Sequence, residues 1–171
     1  MNFQELNIIS PLQKTLDSLW FTEPTAIQEK ILHDSLKNLD VFWCAQTGSG
    51  KTLSFILTVL TWIYKSKSNW NTTWVKWLIL APTRELAIQI WEVVQKFAAA
   101  TNIKYSVIFW WVSQLPQTKK LETWCDLIIS TTWRLIDLID QGFVDLKKLE
   151  FFVLDEADKM LDMWFFPEVE K

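Results

Sequence analysis

Two short stretches carry residues whose types and spacing suit phosphate chemistry. The first is Ala-Gln-Thr-Gly-Ser-Gly-Lys-Thr at 45–52. Gly48 and Gly50 let the backbone curl until successive N–H groups face one anion, and a following helix adds its positive end. Ala45, Gln46, Thr47 and Ser49 complete the loop. Lys51 can reach the outer phosphates of a nucleotide, and the Thr52 hydroxyl can ligate Mg²⁺. The general pattern has glycine where this loop has Ala45. The second stretch, Phe-Phe-Val-Leu-Asp-Glu-Ala-Asp at 151–158, ends an apolar run with three carboxylates in four residues. Asp155 suits a Mg²⁺ held through water, and Glu156 suits polarising the water that attacks a γ-phosphate. Taken singly, the first reads equally as a surface turn and the second as a solvated helix start, where acidic residues are at home. Both in one sheet make a nucleotide site.

Such residues need strands that end at them. Near-continuous apolar runs at 40–45, 77–82, 105–110, 126–130 and 151–155 have the length and character of buried parallel strands. Between them, 83–100 places Leu86, Ile90, Val93 or Val94 and Phe97 at helical spacing, with weaker patterns at 4–19, 26–37, 51–65 and 134–141. The alternation predicts an α/β fold built on a doubly wound parallel sheet, with its crevice at the carboxyl ends of the strands. Both candidate stretches fall at such ends.

With 171 residues the chain suits one domain, and 50% apolar against 22% charged residues is a globular balance. A net charge of −3 argues against a generally polycationic nucleic-acid binder but leaves room for a local basic face. No run approaches the roughly 18 apolar residues of a membrane helix, and the N-terminus has no basic-then-apolar leader, so no membrane is expected. Cys44 and Cys125 are far apart and read as reduced thiols of a cytoplasmic protein. His33 fits no motif. Glycine and tryptophan are out of proportion: ordinary usage would give roughly a dozen glycines, whereas the chain has three, and twelve tryptophans.

The phosphate loop, Pro-Thr-Arg-Glu-Leu at 82–86 and Asp-Glu-Ala-Asp at 155–158 together resemble the DEAD-box ATP-dependent RNA helicases, in the order that family shows them. The resemblance covers essentially the whole chain. It implies a RecA-like P-loop NTPase domain over 1–171, ATP and Mg²⁺ as cofactors, and RNA as partner through its sugar-phosphate backbone. A monomer is expected. Phe-Thr-Glu-Pro-Thr-Ala-Ile-Gln at 21–28 resembles the family's adenine-recognition motif, starting at Phe21. By that likeness Gln28 would read the adenine edge and Phe3 would stack near the base. Pro82, Thr83 and Arg84, Thr131 and Arg134, and the region of Trp110 and Trp111 would line the RNA. Bottom-up, Gln28 reads as an exposed helix residue, Phe3 as a packing one, and the two arginines as helix-end cations.

The chain departs from the family in two ways. Tryptophan stands where the family has glycine at Trp20, Trp110, Trp111, Trp133 and Trp164, and the same holds for Trp43, Trp77, Trp91 and Trp124; Thr132 replaces a proline. One change of genetic code, with UGA read as glycine rather than tryptophan, would account for these together. The sequence also stops at Phe-Phe-Pro-Glu-Val-Glu-Lys, before the family's Ser-Ala-Thr strand and second RecA-like domain. The expectation is a domain incomplete at its C-terminus, from a longer RNA-stimulated ATPase and helicase, inactive in unwinding by itself. The alternative is an ATP-binding relic or interaction module. Another P-loop NTPase ranks last, because neither a Leu-Ser-Gly-Gly-Gln signature nor an Asn-Lys-x-Asp guanine reader occurs.

Overall fold

A computed structural model describes residues 2–46, 48–66, 75–110 and 125–162. Thr47, Trp111, Trp124 and Trp164 lie outside the described residues. The rest fall into two compact units, the first within 1–70 and 93–103, the second within 71–92 and 104–171.

Three helices lie wholly within the first unit among the described residues: α1 (Ser10–Ser18), α2 (Ala26–Ser35) and α3 (Lys51–Ser66), after a 3-10 turn at Phe3–Glu5. Pro11 opens α1, where its missing N–H and fixed φ do no harm. A reciprocal capping box starts α2: the Gln28 N–H donates to Thr25 Oγ1, and the Thr25 N–H donates to Gln28 Oε1. Leu12, Leu16, Leu32, Ile56, Leu57, Leu60 and Ile63 of these helices are fully buried. Ser35 ties α2 to α3 twice, through the Thr58 hydroxyl at 2.7 Å and by accepting from Trp62 Nε1 at 3.1 Å.

The second unit holds a four-stranded, all-parallel sheet. Its strands are β1 (Trp77–Ala81), β2 (Tyr105–Ile108), β3 (Leu127–Thr131) and β4 (Phe151–Leu154), in the order β2-β3-β1-β4. Helix α4 (Arg84–Ala98) follows β1, α5 (Thr132–Asp140) follows β3, and α6 (Ala157–Asp162) follows β4. β1 and β3 are buried throughout, as continuous apolar runs in a covered parallel sheet should be. Leu78 pairs with Ile128 and Leu80 with Ser130, so one register sets Leu78, Leu80, Ile128 and Ile108 on one face. There they pack with Leu135 and Leu138 of α5 and Met160 of α6. From β1 the chain moves to one side of the sheet, and from β3 to the other. Right-handed crossovers therefore send α4 and α5 to opposite faces.

One predicted strand is missing. Residues 40–45 form no ladder among the described residues, and Phe42 is 90% exposed. An apolar run becomes a parallel strand only when neighbours satisfy its N–H and C=O groups and cover both faces, and this run has neither. β4 shows a related effect: it pairs only with β1 among the described residues, and Phe152 is 48% exposed. The strand predicted at 105–110 ends at Ile108, and Trp110 lies in a turn, half-exposed. No helix among the described residues is long and apolar enough to cross a membrane.

Candidate functional site

In the first unit the phosphate loop has the backbone its sequence requires. Gly48 and Gly50 sit at φ +82° and +91°, where a Cβ is strained, and α3 begins at the next residue, Lys51. The Lys51 ammonium donates to the carbonyl of Ala45 and, at 3.1 Å, to that of Gln46, so the loop is folded around its own cation. Thr52 is half-buried in the first turn of α3.

A second segment holds this loop in place. Gln28 is 6% exposed, and its Nε2 donates to the Gly50 carbonyl at 3.3 Å while its Oε1 serves the capping box. The Thr25 hydroxyl donates to the Ser49 carbonyl at 3.1 Å. A Cβ at Gly50 would run into the Gln28 amide, whereas one at Gly48 would meet nothing within 4 Å. The sequence likeness makes Gln28 an adenine reader; as placed, it is the strut between α2 and the phosphate loop, neither exposed nor idle. Phe21 is 42% exposed and presents a ring, but Phe3 is 2% exposed and packs inside. Phe3 therefore offers no face to a base, and its bland packing role is the one found.

In the second unit the acidic run leaves β4 as expected. The Asp155 N–H donates to the Leu80 carbonyl at 3.0 Å, and its buried carboxylate accepts from the Glu156 N–H at 3.1 Å. Glu156 adopts φ +52°, a left-handed conformation for which its side chain gives no local reason. Strain of order 1–3 kcal/mol of this kind gathers where a side chain must be aimed. The Glu156 carboxylate meets Lys159 at 2.8 Å, and this hydrogen bond and opposite charge raise the ammonium above its ordinary 10.5. The pair was missed in the sequence, although its i,i+3 spacing is visible there.

The carboxyl ends of β1 and β3 form a cleft of about 180 Å³ lined by Pro82, Arg84, Trp110, Thr131 and Trp133. These strands feed helices on opposite faces, so this is the crevice that a doubly wound sheet leaves for a ligand. Thr83 caps α4 by accepting from the Leu86 N–H at 3.3 Å. Exposed Arg84 lies 4.9 Å over the Phe109 ring. Arg134 is placed differently: it is 3% exposed, paired to Asp137 one turn on, and stacked 4.7 Å from the Trp110 ring. Asp137 is a second i,i+3 partner that sequence reading passed over. The Thr131 hydroxyl and the Arg134 Nε are buried without a hydrogen-bond partner among the described residues.

A phosphate loop ahead of a helix and an acidic run at the end of a parallel strand define the class of P-loop nucleotide-binding α/β proteins. The comparisons then narrow it. The family model for the DEAD/DEAH box helicase matches residues 25–171, and the chain belongs to that family. It is 41% identical to the ATP-dependent RNA helicase DBP2 of Encephalitozoon cuniculi, over 99% of this chain and 34% of that protein. With the DEAD-box ATP-dependent RNA helicase 30 of Arabidopsis thaliana the identity is 38%, over 99% of this chain and 29% of the relative. The crystal structure of a DEAD box protein from the hyperthermophile Methanococcus jannaschii superposes with a TM-score of 0.88 at 34% identity, covering 99% of this chain and 45% of that one. The chain thus spans about a third of the length of these curated relatives.

Proposed function

We propose that this chain is the ATP-binding, RecA-like part of an ATP-dependent RNA helicase. The observation that carries this reading is the family match over 25–171, a span holding the phosphate loop, Pro-Thr-Arg-Glu-Leu and the acidic run. Names of the similar proteins, ATP-dependent RNA helicases, support the same activity.

On this reading the phosphates of ATP lie against the N–H groups of 48–51, and Lys51 exchanges its two loop carbonyls for phosphate oxygens. Gln28 gives up its bond to Gly50 to reach the adenine edge, so base recognition and loop shape become one event. Mg²⁺ supplies charge neutralisation when it is bound with the nucleotide. The Thr52 hydroxyl in the phosphate loop's helix would hold it, a sparse donor that suits an ion keeping several waters and phosphate oxygens. Glu156, released from Lys159, orients the attacking water. RNA follows the strand-end cleft along Pro82, Thr83, Arg84, Thr131 and Arg134, through phosphate and sugar contacts that carry no sequence preference.

ATP hydrolysis by the full-length gene product, with and without single-stranded RNA, is the test. Hydrolysis stimulated by RNA is expected. An RNA-independent rate would remove the RNA half of the reading, and no hydrolysis would remove both.

A further inference from the structure

Two helices end in the same hydrogen-bonded motif with different residues at its critical position. After α5, the Gly142 N–H donates to Ile139 and the Phe143 N–H to Leu138, both at 2.9 Å, with Gly142 at φ +79°. After α1, the Trp20 N–H donates to Asp17 at 3.1 Å and the Phe21 N–H to Leu16 at 3.0 Å, with Trp20 at φ +62°. Both are the paired closure that places its first residue past the cap in the left-handed region, a position for glycine or asparagine. The chain obeys that preference elsewhere, with Asn38 after α2 and Asn102 after α4 at φ +62° and +53°. Trp20 has no such chemistry. Its indole is 87% exposed, so packing does not hold it there either.

Four other described tryptophans, Trp43, Trp77, Trp110 and Trp133, add independent observations, whereas Trp62 donates its Nε1 to the Ser35 carbonyl at 3.1 Å. Trp77 is 1% exposed, yet its Nε1 has no hydrogen-bond partner among the described residues, and its ring lies flat on Phe151 with centroids 3.7 Å apart. Buried indoles find a partner for that N–H, and ring quadrupoles oppose a face-to-face sandwich. Trp43 also buries an unpartnered Nε1. Trp110 and Trp133 are half-exposed walls of the strand-end cleft. A chain with twelve tryptophans and three glycines has the imbalance that one misread codon produces. UGA is read as tryptophan in some genetic codes and as glycine in others.

We propose that UGA is read as glycine where this protein is made, so that Trp20, Trp43, Trp77, Trp110 and Trp133 of the written sequence are glycines in the native chain. One decoding rule then removes the strained helix end, both buried indole N–H groups and the flat ring pair. It also removes two walls of the cleft and uncovers Arg134, so that main chain can approach a sugar-phosphate strand. That last consequence rests on the RNA reading of the cleft; the identity of the residues does not.

Peptide mass spectrometry of protein purified from its own cells tests this. Tryptic peptide 15–30 reports position 20, and peptide 121–134 reports positions 124 and 133. Glycine at all three is expected. Tryptophan at any of them overturns the proposal, and an unstimulated ATPase would leave a glycine result intact, so the two readings fail separately.

Discussion

The phosphate loop and the strand-end cleft solve opposite problems with the same raw material, exposed backbone at the start of a helix. The loop has glycine at both left-handed positions, and its carbonyls are engaged by neighbours: those of Ala45 and Gln46 by Lys51, those of Gly50 and Ser49 by Gln28 and Thr25, while the Ser49 hydroxyl is buried without a partner among the described residues. The cleft has indoles where the loop has hydrogens. Its arginine is drawn inward by Asp137 and covered by Trp110, and its Thr131 hydroxyl too is buried without a partner among the described residues. An anion site made from main chain works only where side chains stay out of the way. The loop meets that condition as written, and the cleft does not.

The contrast breaks most sharply at Lys51. If the loop is the nucleotide site, Lys51→Ala in the full-length gene product removes the one cation folded into it. A loss on the order of 100-fold in ATPase kcat/KM is expected, the scale for deleting one preorganised charge-stabilising donor. Steady-state hydrolysis measures it. Activity within a few-fold of the parent would mean that the self-satisfied loop is structural, and the two regions would no longer differ in kind.

A smaller effect separates two reasons for glycine within the loop. Gly48→Ala meets only the dihedral cost of φ +82°, because a Cβ there has open space, and about 1 kcal/mol of destabilisation is expected. At Gly50 the new methyl also drives into Gln28. Losing the bond to the Gly50 carbonyl and disturbing the capping box should raise the total to about 2–3 kcal/mol. Urea unfolding of both variants compares them. Equal costs would show that Gln28 yields freely, and that the strut from α2 is not what shapes the loop.

Much of this was legible in the sequence because phosphate binding is local. Gly48, Gly50, Lys51 and the helix that follows are neighbours in the chain, and so are Asp155 and the strand before it. β1, β3 and α4 were readable for a related reason, since buried strands and an amphipathic helix write their surroundings into their own pattern. What failed depends on contacts from elsewhere. The run at 40–45 has the composition of a strand but no ladder partner among the described residues, and pairing cannot be read from one strand. Gln28, bottom-up an exposed helix residue, is buried because its amide is engaged by a loop 22 residues away. Phe3 was assigned a base to stack on and is buried instead. The pairs of Arg134 with Asp137 and Glu156 with Lys159 have i,i+3 spacing, but spacing alone does not say whether two charged side chains turn to each other or to solvent.

The smallest expected effect tests the rule at the helix ends, that the left-handed position past a helix cap belongs to glycine or asparagine. In the chain as written, Trp20→Gly relieves φ +62° at the end of α1 and gives up little burial, since the indole is 87% exposed. Stability should rise by about 1 kcal/mol. For a chain of this size that raises Tm by about 2–4 °C. The reciprocal change, Gly142→Trp at the matching position after α5, should lower it by a similar amount, because the two ends share one hydrogen-bond pattern. Thermal unfolding of the pair reads both signs at once. If Trp20→Gly is neutral while Gly142→Trp destabilises, the α1 end tolerates its indole through contacts the α5 end lacks, and the equivalence of the two motifs fails. If both move as expected, the same backbone demands the same residue at both ends, and Trp20 is the one that does not fit.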